Sequence, residues 1–342
     1  MSAVQTSSGQ IEQWRAEGGL LLDRFFDESA IKAARRDLEI LYALDPEAEL
    51  AKRRDDGNAA KEGAFHSDQL QAIRSLPAFA TPALNLLALD NNLLSVVRSL
   101  LGGDVTLYSN YAWHKEAGKT NHNQPFHCDY PTHHLLVPPA DSSDGSVNLF
   151  IYLTDVTPET GPLSYVPLSR TRGYDYFQAQ PDTAHQEALS EDERSVTCPA
   201  GSVFLYNTRV YHRGTNLRGE GAIRDVVGAG FRRSDMPWIA PRHGAFHPML
   251  PQWRELFEAA DPDQLAALDV PRPGAPYWTA ATIRGVESRY PGWRSDPWRR
   301  AAGLPLAADD APAPTMEWPT VKDVSGVDLD ALRDEVDRKM AG

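Results

Sequence analysis

Apolar and polar residues alternate from Val105 through Trp113, the two-residue period of a β-strand. A second strand is read over Ser146 to Asp155, shorter ones at Ser195 to Cys198, Ser202 to Tyr206 and Val210 to His212, and a further one at Ala222 to Phe231. Short strands separated by turns predict a β-sandwich or jelly roll rather than βαβ units. Helical spacing appears where the alternation stops. Ile31, Ala34, Leu38, Ile40 and Leu41 mark a helix over Asp27 to Leu44, with Asp27 as its N-cap. Leu70 to Leu101 predicts two helices broken at Pro77 and Pro82, and residues 49–64 a charged helix or linker. Further helices are expected at Leu250 to Ala260, Pro262 to Leu268, Tyr277 to Arg289 and Asp328 to Met340. Trp253, Trp278, Trp293 and Trp298 are expected to pack this C-terminal part on the core, with Ala301 to Pro319 as a linker or strap. Residues 1–9 are small and polar and predict a disordered tail. The polar stretch 170–194 is placed to cross a barrel mouth.

Composition narrows the class of partner. The 342 residues carry a net charge of −13 with no basic block, which argues against nucleic acid and against an anionic membrane surface. No apolar stretch approaches the ~20 residues of a membrane helix, and no basic start leads into an apolar run. A cytoplasmic protein, monomer or homodimer, is expected. Its two cysteines, Cys128 and Cys198, do not suggest a disulfide framework.

Candidate chemistry centres on His127-Cys128-Asp129 and on His212 far downstream. In a strand, alternate residues point the same way, so His127 and Asp129 can share one metal while Cys128 points elsewhere. Two imidazoles and a carboxylate on one face of a metal form the facial triad of non-haem Fe(II) oxygenases, which leaves positions open for cosubstrate and O₂. His-x-Asp alone is weak, but it stands in an ordered set of three segments. These are Gln124-Pro125-Phe126-His127-Cys128-Asp129-Tyr130, the stretch Leu153 to Pro167 containing Thr160-Gly161-Pro162-Leu163, and Gly201 to Asn207 running on to Tyr211-His212-Arg213-Gly214-Thr215-Asn216.

Together these segments resemble the phytanoyl-CoA dioxygenase family of Fe(II)/2-oxoglutarate oxygenases. So does the opening from Trp14 to Tyr42, with its glycine-containing turn, short apolar strand (Leu20 to Leu22) and following helix. The resemblance covers roughly residues 10 to 235, read as one catalytic domain, with residues 236–342 a helical extension packed on it. It implies a mainly β fold with α additions: a double-stranded β-helix, cupin-like, flanked by N- and C-terminal helices. It also implies iron on His127, Asp129 and His212, and an arginine for the far carboxylate of 2-oxoglutarate. That arginine is Arg224, on a strand, in preference to Arg218, which lies in the turn from Asn216 to Gly221. A guanidinium binds a carboxylate through two parallel hydrogen bonds.

Alternation puts Ser109, Tyr111 and Trp113 on one face and Asn148, Phe150 and Tyr152 on another. Family positions facing the cosubstrate fall on these sets, so Ser109, Tyr111 and Phe150 either contact it or fill the barrel. Thr215 is a second hydroxyl candidate for the cosubstrate carboxylate or else a turn residue. His133 and His134 either touch substrate, support the metal site or face solvent, and Trp238, Trp278 and Arg289 either line the pocket as a lid or pack. The family's usual Pro-Gly-Ser-His is Pro167-Leu168-Ser169-Arg170 here, so a shared histidine is lost.

The implied reaction takes Fe(II), 2-oxoglutarate and O₂ to oxidise a C–H bond of a small molecule, with hydroxylation as the default and succinate and CO₂ as coproducts. Asp129 occupies the position a halogenase needs free for chloride. Desaturation, ring closure and epoxidation use the same iron site. With no basic cluster for a CoA phosphate, a small secondary metabolite is the expected substrate. Two other readings stay open: a metal-dependent hydrolase or isomerase on a cupin-like barrel, and a non-catalytic or sensor protein on the intact fold.

Overall fold

The computed structural model describes residues 6–44, 73–78, 80–117, 123–130, 145–174, 180–236, 251–310 and 328–341. Six strands form one antiparallel sheet in the order β1 (Gly19–Leu22), β7 (Val203–Asn207), β4 (Ser146–Tyr152), β9 (Ile223–Arg233), β3 (Val105–Glu116) and β2 (Ile73–Ser75). Three short strands form a second sheet in the order β6 (Arg194–Ser195), β5 (Leu163–Tyr165), β8 (His212–Gly214). The two sheets face each other as a jelly roll. An aromatic core that includes Trp113, Phe150, Tyr152, Phe204 and Tyr206 of the large sheet and Leu163 of the small one fills the space between them.

All seven residues of β4 are buried, so this strand has no solvent face. Asn148, Phe150 and Tyr152 point inward, while Val147, Leu149 and Ile151 join the outer hydrophobic core. That outer core is closed by helices α1 (Ser8–Glu17), α2 (Glu28–Leu44), α3 (Pro82–Leu87) and α4 (Asn91–Leu101). Asp27 caps α2 through the Ala30 N–H at 2.8 Å, as its position predicts. A helix α5 (Thr183–Glu191) lies between β5 and β6 in sequence. Its Gln186 exchanges two 2.8 Å hydrogen bonds with the Phe126 backbone, steadying the approach to His127.

The C-terminal helices α6 (Pro251–Ala259), α7 (Pro262–Ala266), α8 (Ala280–Arg289) and α9 (Asp296–Ala301) belong to the same outer core. Trp278, Trp293 and Trp298 stack there with ring centroids 4.8–5.9 Å apart. The indole N–H groups of Trp278 and Trp298 both donate to the Pro271 carbonyl. Finally, α10 (Leu329–Ala341) returns to α2. Val336 is buried with Ile40 and Ala80, and Arg36 pairs with Asp337.

Several expectations need correction. Residues 73–75 form an edge strand on β3, with Ile73 opposite Trp113 and Ser75 opposite Tyr111. Pairing with a distant strand decides that segment, overriding its local helical spacing. Pro82 begins α3 rather than breaking a helix, because a first-turn residue has no intrahelical use for an N–H. Ser8 and Gly9, expected in the polar tail, lie in α1, which the capping box of Ser7 and Gln10 starts at Ser8; residues 1–5 lie outside the described residues. The six-residue α9 was too short to leave a periodic signal. The segment 49–64, and the strap Ala301 to Pro319 beyond residue 310, lie outside the described residues.

Candidate active site

His127 is not in a continuous strand. It makes a single antiparallel bridge to His212 at the start of β8. His127 N–H donates to the His212 carbonyl at 3.0 Å, and His212 N–H returns the bond at 2.8 Å. Residues opposed in this way send their side chains to the same face, and the two imidazole centroids lie 4.3 Å apart. One backbone contact therefore brings together two histidines remote in sequence. Each Nδ1 sits 3.0 Å from a carbonyl, Pro125 for His127 and Val210 for His212. A carbonyl only accepts, so both Nδ1 atoms carry the proton and Nε2 presents the lone pair, the tautomer of a metal ligand. Ligand atoms of His127, Asp129 and His212 all lie within 4.8 Å of one another.

Asp129 is held by the large sheet. Its Oδ2 accepts from Asn148 Nδ2 at 2.6 Å and from the Tyr206 hydroxyl at 3.1 Å. Tyr108 O–H donates to Asn148 Oδ1 at 2.5 Å, which fixes the amide with its NH₂ toward the carboxylate. A register shift between Leu107 and Ser109 leaves Tyr108 out of the β3–β9 ladder. Such a bulge re-aims a side chain, and here the Tyr108 hydroxyl reaches the inner face at Asn148. Gly230 on β9 makes room for it: a Cβ there would sit 2.5 Å from the Tyr108 ring and 2.8 Å from Asn148 Oδ1. Gly228 does the same for Tyr111, at 2.2 Å. Burial, reinforced by the Asp129 charge, raises the Tyr108, Tyr111 and Tyr206 phenols above their ordinary range, so all three stay protonated.

His127, Asp129, His212, Tyr111, Asn148 and Tyr206 line a cavity of about 510 Å³. Another part of its wall is Arg224, on the inner face of β9 and 4% exposed. Its guanidinium donates to the Gly161 carbonyl and lies 5.9 Å from the centroid of the Trp113 ring. Among the described residues its Nε has no hydrogen-bond partner, and neither do the Tyr152 hydroxyl and Trp113 Nε1 in the same wall. A buried donor without a partner is costly, so this arrangement suits an acceptor-rich anion. A dicarboxylate fits the cation, and two imidazoles with one carboxylate fit Fe(II).

The structure brings most of the sequence candidates together. His127, Asp129, His212, Arg224, Ser109, Tyr111 and Phe150 all line the cavity. Phe150 lies between Tyr206, stacked at 6.2 Å, and Tyr111, edge-on at 6.4 Å. Thr215 does not line it; its hydroxyl donates to the Pro162 carbonyl at 2.7 Å. Arg218 is exposed, which removes it as the alternative to Arg224. Trp278 is buried in the tryptophan cluster and does not line the cavity, so it buttresses rather than covers. Arg170 pairs with Asp192 at the surface, at 3.4 Å, away from the cavity. Cys128 is buried beside Phe126 and Tyr130 as a small apolar side chain. His133, His134 and Trp238 lie outside the described residues.

Sequence reading missed Tyr108, Tyr206 and Lys115, and gave Asn148 no role. Asn148 left a usable signal, an amide on the inward set of an otherwise apolar strand. Lys115 left none, because a lysine at a strand end looks like a solvated one.

The comparisons with known proteins follow the same lines. The model of the phytanoyl-CoA dioxygenase (PhyH) family matches residues 14–226, more than half of the chain. The chain belongs to this family. An ectoine dioxygenase of Bordetella parapertussis is 24% identical over 201 residues, 58% of this chain. The match spans 61% of that relative's length. Among solved structures, EctD from S. alaskensis with 2-oxoglutarate and 5-hydroxyectoine has a TM-score of 0.56 at 20% identity. It covers 71% of this chain and 86% of its own. The α-ketoglutarate-dependent carbocyclase SnoK from nogalamycin biosynthesis scores 0.55 at 20% identity, over 72% of this chain and 92% of its own. At these identities the likeness is one of fold.

Proposed function

We propose that this protein is an Fe(II)/2-oxoglutarate-dependent oxygenase that hydroxylates an unactivated C–H bond of a small molecule in secondary metabolism. One observation carries the reading: the His127–Asp129–His212 cluster and the buried Arg224 face one cavity. A metal-dependent hydrolase or isomerase leaves the buried guanidinium of Arg224 unexplained, and the retained triad argues against a non-catalytic sensor. Overall, substrate R–H, O₂ and 2-oxoglutarate give R–OH, succinate and CO₂, one oxygen atom entering each of R–OH and succinate. The iron supplies O₂ activation when bound.

The chain's own residues bind, orient and exclude water. His127, Asp129 and His212 would hold the metal. Asn148 and Tyr206 fix the Asp129 carboxylate, and the backbone carbonyls of Pro125 and Val210 fix the imidazoles. Arg224 would pair with the distal carboxylate of 2-oxoglutarate through charge-assisted hydrogen bonds. Phe150, Tyr111 and Trp113 make the wall apolar, which strengthens that pairing and keeps bulk water away. Among the described lining residues, the charged groups are those already given to metal and cosubstrate. The remaining wall therefore suits an uncharged portion of the substrate.

The test is anaerobic titration of the Fe(II)-loaded protein with 2-oxoglutarate. A weak visible charge-transfer band is expected, together with O₂-dependent formation of succinate. Asp129→Ala should abolish both and lose most iron. Succinate formation by Asp129→Ala at the wild-type rate would rule out this assignment.

A further inference from the structure

Lys115 has no part in the chemistry above, and its position demands one. It stands on β3 directly opposite Arg224 on β9. Its side chain is 0% exposed, and its ammonium donates to the Thr215 carbonyl at 2.8 Å. The Trp113 ring is shared by both cations, 6.0 Å from Lys115 Nζ and 5.9 Å from Arg224 Cζ. Like charges at opposed strand positions repel, and burial removes the water that would screen them.

The acids nearby face the other way. Asp225 and Glu116 both turn to His114, at 2.6 Å and 3.9 Å. Gln124, which packs beside Gly214 on the Lys115 side, is neutral and accepts the Gly214 N–H. Among the described residues, no carboxylate acts on either Lys115 or Arg224. Burial, then the guanidinium opposite, pushes the Lys115 ammonium down to about 6. Two buried cations without an anion are relieved in one of two ways: the lysine loses its proton, or an anion arrives.

We infer that Lys115 is a proton-coupled positioning residue of the cosubstrate site, neutral while the site is empty and taking up one proton from solvent when a dicarboxylate binds at Arg224. The inference rests on the function proposed above and adds a property to it. The bound dianion faces two positive groups instead of one, and its affinity becomes pH-dependent. The sign follows from linkage. Binding raises the lysine's pKa, so between the empty-site and bound values one proton enters with the ligand. Affinity then falls as pH rises, by up to about tenfold per pH unit.

The experiment is calorimetric titration of the full-length, Fe(II)-loaded protein with 2-oxoglutarate, without oxygen, in buffers of different ionisation enthalpy near pH ~8. Wild type should take up close to one proton per site. Lys115→Met, similar in length and uncharged, should take up none, bind more weakly and show a flat affinity over the same pH range. Lys115→Arg, a permanent cation, should also take up none yet keep tight binding. A merely structural lysine would leave the proton count unmoved. The wild-type count decides even where Lys115→Met fails to fold: binding without proton uptake overturns the inference. Uptake that persists in either variant overturns it too. Failure of 2-oxoglutarate to bind at all would instead overturn the proposed function, and this inference with it.

Discussion

Replacing Arg224 by methionine separates binding from folding, because the two respond differently. The side chain is 4% exposed, and among the described residues no carboxylate pairs with its charge. Losing one half of a desolvated charge pair with the distal carboxylate costs roughly 2–5 kcal/mol of binding. That is roughly a 30-fold to 4,000-fold rise in the dissociation constant of 2-oxoglutarate. Stability of the empty protein should move little. Leaving the Gly161 carbonyl without its donor costs about 1–3 kcal/mol, while removing a buried uncompensated cation offsets that. The readout is thermal melting of the iron-loaded protein with and without ligand. At a hundredfold excess over its dissociation constant a ligand adds about 2.7 kcal/mol. For 342 residues, with an unfolding entropy of about 0.7 kcal/mol/K, this is a rise of about 4 °C. Wild type and Arg218→Ala should both show it. Arg224→Met should melt within about 3 °C of wild type without ligand and rise by about 1 °C or less at the same ligand concentration. A normal ligand shift in Arg224→Met, or a lost shift in Arg218→Ala, would refute the placement of the cosubstrate.

Two further predictions concern the support of the site. Gly230→Ala places a Cβ 2.5 Å from the Tyr108 ring and 2.8 Å from Asn148 Oδ1. It should lower stability by about 1–3 kcal/mol and, by displacing the amide that holds Asp129, weaken iron binding roughly 10-fold to 100-fold. An iron titration matching wild type would show that this chain of contacts does not orient the ligand. Trp278→Ala empties part of the tryptophan cluster and should cost about 3–5 kcal/mol in denaturant melts. The ratio of substrate oxidised to succinate formed should stay unchanged, and uncoupled turnover in this variant would return Trp278 to the role of a lid.

Local pattern alone specified much of this protein. The alternation over Val105 to Trp113 and Ser146 to Asp155 placed Ser109, Tyr111, Asn148, Phe150 and Tyr152 on their inward faces, because side-chain direction in a strand depends on adjacent residues. The family resemblance carried by the ordered motifs pointed to His127, Asp129, His212 and Arg224, and the fold brings all four to one cavity. What sequence could not express were relations across the sheets. Residues 73–75 became a strand because β3 offered an edge. His127 and His212 meet through one backbone bridge, Tyr108 reaches Asn148 across a bulge opposite a glycine, and Lys115 falls opposite Arg224. Each depends on register between segments remote in the chain, and register is set by how both faces of every strand are buried at once. A lysine at the end of a strand reads as solvated until the fold decides what lies across from it.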